Sequence, residues 1–388
     1  MKKLMMMAVA ALFAASANAQ TDIVKLVKKA KTYSDAMELV NQGVSALSNE
    51  DKGKVYTKLC ELAAKEFSAE QENYIKKDLT PGYDVNNAYT AAQSLLKSSI
   101  LLRAVDAKAP LKYIAQLNKA REMMLNAGQE GLDTKDYNKV LANLGLYVDA
   151  ADVVTDGNLA LDPNVPQIAY FSTWGASELK DDANVMKYST YALNDSAYGA
   201  PAMSLMLNAM EKKVASKQDS VEFVQKMKGM IGKYPVGKAD DAILGKIVSF
   251  YSAPQYAAEI DKLLDETVAS NPNSDMAWAL KGQTALNKMD YDAAIMANKK
   301  AIELNPKFTQ VRFNLATGQK DKAMTIIDAA GGNVTPEAKA LVDEAIANFT
   351  QIREEDPDHE VVQWKYPLAQ CYYILGNTAK YEETIALP

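Results

Sequence analysis

The sequence predicts an all-α protein, an α-solenoid built from stacked helix pairs. Apolar residues recur at spacings of three and four along most of the chain, and no stretch shows the alternation typical of a strand. Helix-ending sites recur at Pro163, Asp195, Pro235, Pro272 and Pro306. The chain between successive sites is long enough for two helices and their turns, and this spacing is typical of a helical repeat.

The stretch from Ser274 to Phe308 is the clearest repeat unit. Its first helix carries Trp278 and Gly282 on one face, and a glycine at such a position lets a neighbouring helix approach closely. Asp290 is placed to cap a second helix. Pro306 then ends that helix, because the residue before a proline is pushed towards extended backbone. The stretch therefore predicts a helical hairpin.

This unit resembles the tetratricopeptide repeat, a helix-turn-helix of about 34 residues. The family positions that it matches are Trp278, Gly282, Ala294, Ala301 and Pro306. Two positions depart from the family, since Lys281 stands where leucine is usual and Ala285 where tyrosine is usual. The resemblance implies a right-handed superhelix. The chain is similar to exported bacterial proteins of this family.

The first residues predict a secretory signal peptide, residues 1–19. Lys2 and Lys3 precede an apolar run, and Ala17-Asn18-Ala19 is typical of a cleavage site. The run is too short for a stable transmembrane anchor, and no cysteine for lipid attachment follows the cut. We therefore expect a periplasmic or secreted protein without a transmembrane anchor.

The repeat pattern divides the remaining chain into two predicted regions. Residues 20–132 form a helical region of degenerate repeats, and residues 133–388 form the repeat array. The helices expected in the first region are Asp22–Lys31, Asp35–Leu47, Lys52–Phe67, Asn86–Val105 and one from Pro110 to near Gly128. In the second region, the unit that begins at Arg312–Ala316 is predicted to be shortened and to close at Gly331-Gly332.

Charge and cysteine content limit the classes of partner. The formal charge of −6 would become −8 once the two lysines of the signal are removed. A mildly acidic chain lacks the clustered Lys and Arg that phosphate contacts need, so we expect no nucleic-acid partner. Cys60 and Cys371 are expected to be small buried side chains, although an oxidising compartment also permits a disulfide.

The sequence offers little catalytic chemistry. His359 is the only histidine, which excludes multi-histidine metal sites, and we interpret it as a solvated turn residue. Gly229–Lys233 lacks the spacing of a phosphate loop. Three carboxylate pairs are more typical of helix starts and surface charge than of glycoside hydrolysis: Asp181-Asp182, Asp240-Asp241 and Glu354-Glu355. We predict no enzyme, no cofactor and no metal.

Three further patterns each have a structural and a functional interpretation. Met203, Met206, Leu207 and Met210 could line an adaptable groove, but a core stripe between repeats is favoured. Core packing is likewise favoured for the tyrosines Tyr188, Tyr191, Tyr372 and Tyr373. The triplet Asp195-Ser196-Ala197 resembles an acceptor of bacterial O-glycosylation, while turn and cap chemistry explains the same residues without sugar.

The family resemblance also implies a peptide-binding face. In these proteins the first helices line the concave side, and ligands contact positions beside the packing face. Carried onto the best unit and its successor, these positions are Gln283, Asn287, Gln310, Phe313, Asn314 and Thr317. They offer amide groups around one aromatic ring, which suits an extended peptide, although the face could also be merely solvated. The basic clamp of some relatives is incomplete, since only Asn314 fits it.

Three functions remain open at this stage. The leading prediction is a non-catalytic, exported scaffold or adaptor that binds a peptide or an envelope protein in the groove. The alternative is a glycan-binding protein of an outer-membrane nutrient-uptake system, because a family of such proteins also uses these repeats. An α-helical hydrolase is the third. The sequence leaves the oligomeric state open.

Overall fold

The computed structural model describes residues 18–236, 238–250 and 257–387. Within these ranges every regular element is a helix and there is no β-strand. The predicted all-α fold is therefore confirmed. Residues 1–17, which hold most of the predicted signal peptide, lie outside the described residues. No described helix is long and apolar enough to cross a membrane.

The chain divides into two compact units. The first unit extends to Phe223 and includes Gly232–Ala239. Its helices are α1 Asn18–Lys29, α2 Tyr33–Gly43, α3 Asn49–Ile75, α4 Asn86–Arg103, α5 Ile114–Thr134, α6 Tyr137–Val140, α7 Leu146–Asp149, α8 Ala151–Val154, α9 Val165–Glu178, α10 Asp182–Ala192 and α11 Gly199–Glu211. Short 3-10 turns lie at Val44–Ala46, Lys77–Leu79, Ala109–Tyr113 and Leu159–Leu161.

The second unit holds Val224–Ile231 and the chain from Asp240 onward, so the division passes through helix α12, Lys217–Lys228. The helices that follow are α13 Ala239–Phe250, α14 Ala257–Ser270, α15 Asp275–Asn287, α16 Tyr291–Leu304, α17 Thr309–Ala329, α18 Pro336–Glu355, α19 Lys365–Ile374 and α20 Thr378–Ile385. The predicted boundary at residue 132 concerns the regularity of the repeats rather than these units, and it stays a prediction.

Helices pack in sequential order within each unit. In the first unit α3 packs on α4, α4 on α5 and α9 on α10, and in the second α15 packs on α16 and α17 on α18. Helices two steps apart along the chain are also in contact: α9 contacts α11, and α15 contacts α17. Each helix pair thus buries its apolar side against the next pair, which is the arrangement of a helical repeat array.

The α15–α16 hairpin follows the local chemistry read from the sequence. The Ser274 hydroxyl accepts a hydrogen bond from the Ala277 N–H at 3.1 Å and starts α15. An Asp290 carboxylate oxygen accepts one from the Ala293 N–H at 3.1 Å and starts α16, which confirms the predicted cap. A Cβ on Gly282 would overlap the Asn298 carboxamide of α16. Gly282 therefore permits the close approach that its position predicted.

Each unit has its own apolar core. Fully buried side chains of the first unit include Phe67, Leu95 and Met124, and those of the second include Phe349. The predicted methionine stripe belongs to the core, since Met203, Met206 and Leu207 are buried and Met210 is half-buried. Cys60 and Cys371 are both buried free thiols, as predicted.

Some predicted helix boundaries were wrong. The fifth helix begins after a 3-10 turn at Pro110 and continues past Gly128 to Thr134. Gly128 does not end it because this glycine meets Leu144 of the following segment, and a Cβ there would overlap that side chain. Helix α3 runs beyond Phe67 to Ile75. Most of its last eight residues are polar and none of them is buried, so they carry no apolar periodicity to reveal them.

A π-helical segment, Leu141–Gly145, joins α6 to α7. Such a segment accommodates one extra residue in a helix. Within it Asn143 is buried, accepts a hydrogen bond from the Gln93 amide at 2.9 Å and donates one to the Lys139 carbonyl at 2.7 Å. A Cβ on Gly145 would lie 2.6 Å from the Tyr188 hydroxyl oxygen, so only glycine fits beneath that ring.

Candidate functional site

Four of the six predicted site residues form one chain of side-chain amides across α15 and α17. The Gln310 amide N–H donates to the Asn314 carbonyl oxygen at 3.3 Å. Asn314 donates in turn to Gln283 at 2.8 Å, which crosses from α17 to α15. Gln283 then donates to Asn287 at 3.0 Å. We call these four residues the amide chain.

The amide chain is anchored at its centre and open at its ends. Asn314 is only 8% exposed, and Gln283 is half-buried. Asn287 and Gln310 are exposed. Within the described part of the protein nothing accepts from the Asn287 amide nitrogen or donates to the Gln310 side-chain carbonyl. The ends of the chain therefore offer solvent a free amide donor at Asn287 and a free carbonyl acceptor at Gln310, the two kinds of group that an extended peptide backbone needs.

The other two predicted residues occupy different environments. The Phe313 ring packs edge-on against Phe349 of α18, with ring centroids 5.7 Å apart, so it contributes to the core of the α17–α18 hairpin. The Thr317 hydroxyl oxygen is buried and has no hydrogen-bond partner among the described residues. Thr317 lies three residues after Asn314, on the same face of α17. It thus adds one unused polar group beside the amide chain.

The cations nearest in sequence to Asn314 are already engaged. Arg312 is buried, and it donates to the Pro306 carbonyl at 2.6 Å. Lys320 pairs with Asp321 at 2.6 Å. Neither supplies a free positive charge, which agrees with the incomplete clamp read from the sequence. This face suits a neutral backbone better than a carboxylate.

The residues tested for chemistry in the sequence have structural roles. Asp181 caps α10 by accepting a hydrogen bond from the Asn184 N–H at 3.1 Å. Hydrogen bonds from Asn184 lower the pKa of the Asp181 carboxyl. His359 has a positive φ of 58° and stacks on Trp364 with ring centroids 4.5 Å apart, so it is half-buried rather than fully solvated. Among the described residues no cluster of His, Cys, Asp or Glu could hold a metal ion.

The predicted acceptor triplet is built like a turn. An Asp195 carboxylate oxygen accepts from the backbone N–H of Ala197 at 2.8 Å and of Tyr198 at 2.9 Å. This is the cap chemistry favoured from the sequence. Ser196 is exposed. Glycosylation of this serine stays a hypothesis.

A buried ion pair lines one cavity of about 490 Å³ in the first unit. Arg121 and Asp162 form the pair, and the Tyr147 hydroxyl donates to Asp162 at 3.2 Å. The Arg121 guanidinium also lies 3.7 Å from the centre of the Tyr147 ring. Burial raises the pKa of Tyr147. Each group already has a partner, so the cavity offers a rigid wall rather than a free acid, base or nucleophile.

A larger cavity of about 720 Å³ lies between α2, α3 and α4. Glu38, Glu66 and Glu70 line it, and no lysine or arginine does. Glu66 accepts the Tyr33 backbone N–H at 2.7 Å, and Glu70 accepts the Tyr83 hydroxyl at 3.0 Å. The sequence did not reveal this cavity, because Glu38 comes from α2 and Glu66 and Glu70 come from α3, and no sequence spacing links the two helices.

Helix α9 carries a row of aromatic side chains that the sequence analysis missed. Tyr170, Phe171 and Trp174 are all half-buried and share one side of the helix. Tyr137 of α6 and Tyr198, just before α11, extend the row at either end. We call these five residues the α9 aromatic strip. Of the tyrosines assigned to the core, Tyr188 is buried, but Tyr373 is 73% exposed.

Fold and site together define a helical-repeat protein with an amide-lined face. No protein-family model matches the chain, and no curated protein matches it in sequence. Among solved structures, a human IFIT1 dimer with m7Gppp-AAAA is 14% identical, with a TM-score of 0.32, and covers 83% of this chain and 72% of that one. An IFIT1 monomeric mutant with Gppp-AAAA is 13% identical, with a TM-score of 0.33, and covers 96% and 73%. Similarity this low carries no argument about ligands.

Proposed function

We propose that this chain is a non-catalytic, exported binding protein that holds an extended protein segment across α15 and α17. The observation that carries the proposal is the amide chain, whose free donor at Asn287 and free acceptor at Gln310 can bind a carbonyl and an N–H at separate points of an extended backbone. The predicted signal peptide supports a periplasmic or secreted location, where the partner would be an envelope or secreted protein.

The anchoring of the face supports binding of a flexible ligand. Asn314 is held by two amide hydrogen bonds, one to Gln310 of its own helix and one to Gln283 of α15. A side chain that is already ordered loses little conformational entropy when a ligand docks. An ordered polar face of this kind favours recognition over chemistry.

Peptide display followed by calorimetry tests the proposal. Unconstrained peptides selected on the wild-type protein should lose about tenfold in affinity for Asn314→Ala, because the break in the amide chain releases both of its ends. Asn273→Ala is the matched control, since Asn273 is an exposed asparagine in the turn before α15. It should bind like the wild type.

Two further ligands separate the alternatives. The IFIT1 structures contain RNA, so a 5′-triphosphate AAAA oligonucleotide serves as a comparison ligand, and the acidic composition predicts no binding. An oligosaccharide panel addresses the glycan alternative. Selected peptides that bind Asn314→Ala and the wild type equally well would refute the proposed face, as would a library that yields no enriched peptide.

A further inference from the structure

We propose that the cavity lined by Arg121 and Asp162 is a second binding site, and that it takes a neutral amide carrying an aliphatic group, such as the peptide unit of a leucine residue. We call it the Arg121 cavity. It lies within the first unit, between α5 and residues 154–164. The amide chain lies within the second unit, so this inference stands on its own observations.

Arg121 presents unused hydrogen-bond donors that are already fixed in place. The residue is only 5% exposed. Its Nε–H donates to the Tyr147 carbonyl oxygen at 3.1 Å, and its Nη2 donates to Asp162. Among the described residues nothing accepts a hydrogen bond from Nη1, and Nη1 is not sealed off from solvent. The cavity therefore meets an ordered guanidinium group whose remaining N–H groups can donate to a ligand oxygen with little loss of entropy.

The charges of the Arg121 cavity select a neutral ligand. Its lining holds one cation, Arg121, against two anions, Asp162 and Glu122. An anionic ligand would approach both carboxylates, and Asp162 is only 9% exposed, so water screens its charge weakly. A cationic ligand would find the Asp162 oxygens occupied by Arg121, by the Tyr147 hydroxyl and by the Asn164 backbone N–H at 3.2 Å. A neutral carbonyl oxygen avoids both penalties and still accepts from Nη1.

Apolar side chains and one carboxamide complete the lining of the Arg121 cavity. Leu161, at the end of a 3-10 turn, is 68% exposed, and Leu125 and Val154 are half-buried. Leu125 lies four residues after Arg121 and therefore on the same side of α5. Asn118 lies three residues before Arg121 on that side, and its exposed side-chain carbonyl can accept an N–H. A ligand with a carbonyl, an N–H and an aliphatic group uses all three kinds of surface.

A sugar fits the Arg121 cavity less well than a peptide unit does. Tyr147 is the one aromatic residue among the described residues of the lining, and the Arg121 guanidinium covers its ring at 3.7 Å from the centre. This lining therefore leaves no open ring face for a sugar to stack on. The volume of about 490 Å³ is in the range of small-ligand sites. A short peptide segment with an aliphatic residue is the source of the amide that these features favour.

The test titrates the full-length protein with N-acetyl-L-leucinamide, followed by ligand-observed NMR. Saturable binding with a Kd of about 1 mM is expected for an uncharged ligand of this size. Leu161→Ala should weaken binding about threefold to tenfold, because it removes the most exposed part of the apolar lining. Leu79→Ala is the matched control, since Leu79 is 84% exposed at the end of another 3-10 turn and lies outside the cavity. It should bind like the wild type.

Arg121→Lys tests the donor itself. This change keeps a positive charge beside Asp162 but removes the Nη1 donors, so binding should weaken about tenfold. Circular dichroism checks that the variant is folded. If it is not, Asn118→Ala at an exposed position of the lining takes its place, with an expected loss of about threefold. Unchanged affinity of a folded Arg121→Lys variant would overturn the assignment.

A comparison of three ligands tests the class of compound. N-acetyl-L-leucine carries a carboxylate and should bind at least about tenfold more weakly than the amide, so equal or tighter binding would overturn the choice of a neutral ligand. N-acetylglucosamine shares the acetamido group but lacks the aliphatic group, and tighter binding of this sugar would overturn the peptide source. So would the absence of saturation at about 20 mM amide, or equal effects of Leu161→Ala and Leu79→Ala. Asn314→Ala should leave binding of the amide unchanged, so failure here is distinguishable from failure at the amide chain.

Discussion

Asn298 is fully buried between α15 and α16, yet its two side-chain amide atoms have no partner among the described residues. A buried unsatisfied amide costs about 1–3 kcal/mol. Its neighbour is Gly282, whose missing side chain is what admits the carboxamide. The contact between these two helices therefore depends on one glycine and tolerates one unpaired polar group.

Gly282→Ala should destabilise the protein by about 1–3 kcal/mol, because the new methyl group would overlap the Asn298 carboxamide. In the Asn298→Ala background the same methyl group has room. The double variant should therefore be more stable than the sum of the single effects by about 1 kcal/mol or more. Urea unfolding of the four proteins measures this coupling, and simple additivity would contradict the proposed overlap.

Asp356 organises the turn between α18 and α19. Its carboxylate accepts backbone N–H groups from Glu360 at 2.8 Å, Val361 at 3.1 Å and Val362 at 2.9 Å. Burial opposes the ionisation of Asp356, but these three donors and the neighbouring His359 outweigh it, so its pKa lies below the ordinary value. The charged form is thus the one that the folded protein prefers.

Asp356→Asn should therefore destabilise the protein at pH 7, by about 2 kcal/mol. Because the folded-state pKa is lowered, the wild-type advantage is complete above the unfolded pKa of about 4 and is lost as the pH falls through the lowered folded value. Urea unfolding at pH 7 and at a series of lower pH values measures the difference in unfolding free energy between the wild type and the variant. Exposed Asp358→Asn, in the same turn, is the control. A wild-type advantage that persists unchanged into strong acid would contradict this role.

Capping and close-approach residues were predictable, and the inward or outward direction of aromatics was not. Asp290 and Gly282 have roles that depend on neighbours in sequence or on one helix spacing. Phe313 was predicted for the binding face, but it packs on Phe349, and Tyr170 was not predicted at all. Helix α9 is apolar on nearly every side, so periodicity cannot identify which side its neighbours leave open.

At the scale of the element, the α17–α18 hairpin shows what the repeat pattern conveys. The predicted closure at Gly331-Gly332 is where α17 ends, and both glycines have a positive φ. The predicted shortened unit is one uninterrupted helix of 21 residues instead, followed by α18 with 20 residues. Repeat signatures indicate where helices stop, but helix length follows from packing along the whole partner helix, which the sequence does not display.

Phe349→Ala should cost about 3–5 kcal/mol, because this side chain is fully buried at the centre of the α17–α18 hairpin. In a repeat array the loss should stay local, since stability is the sum of units and nearest-neighbour contacts. Hydrogen exchange should therefore accelerate in α17, α18 and α19 while α3 and α4 keep their protection. Uniform acceleration along the chain would show that the two units unfold as one.

At the scale of the whole molecule, each compact unit contains one thiol. Cys60 lies in the first unit and Cys371 in the second. Burial raises the pKa of each thiol to about 12. The reactive thiolate is therefore scarce at neutral pH, and both sulfur atoms are shielded from solvent.

Each thiol should accordingly report the opening of its own unit. In native protein at pH 8 both should react slowly with a disulfide reagent, and the rate should rise steeply as urea unfolds the unit concerned. Cys371→Ala leaves a reporter for the first unit, and Cys60→Ala one for the second. Rapid labelling of either thiol in native protein would contradict its burial. Different urea midpoints would show independent stabilities.

The π-helical segment at Leu141–Gly145 has a consequence for protein engineering. An α-helix turns by about 100° per residue, so removal of the extra residue would rotate everything after it by that angle. Gly145 would leave its place under Tyr188, and a residue with a side chain would take over a space that admits none. A regular α-helix over this stretch would therefore pack less well against α10. The π-helical segment sets the alignment that places Gly145 under Tyr188 of α10.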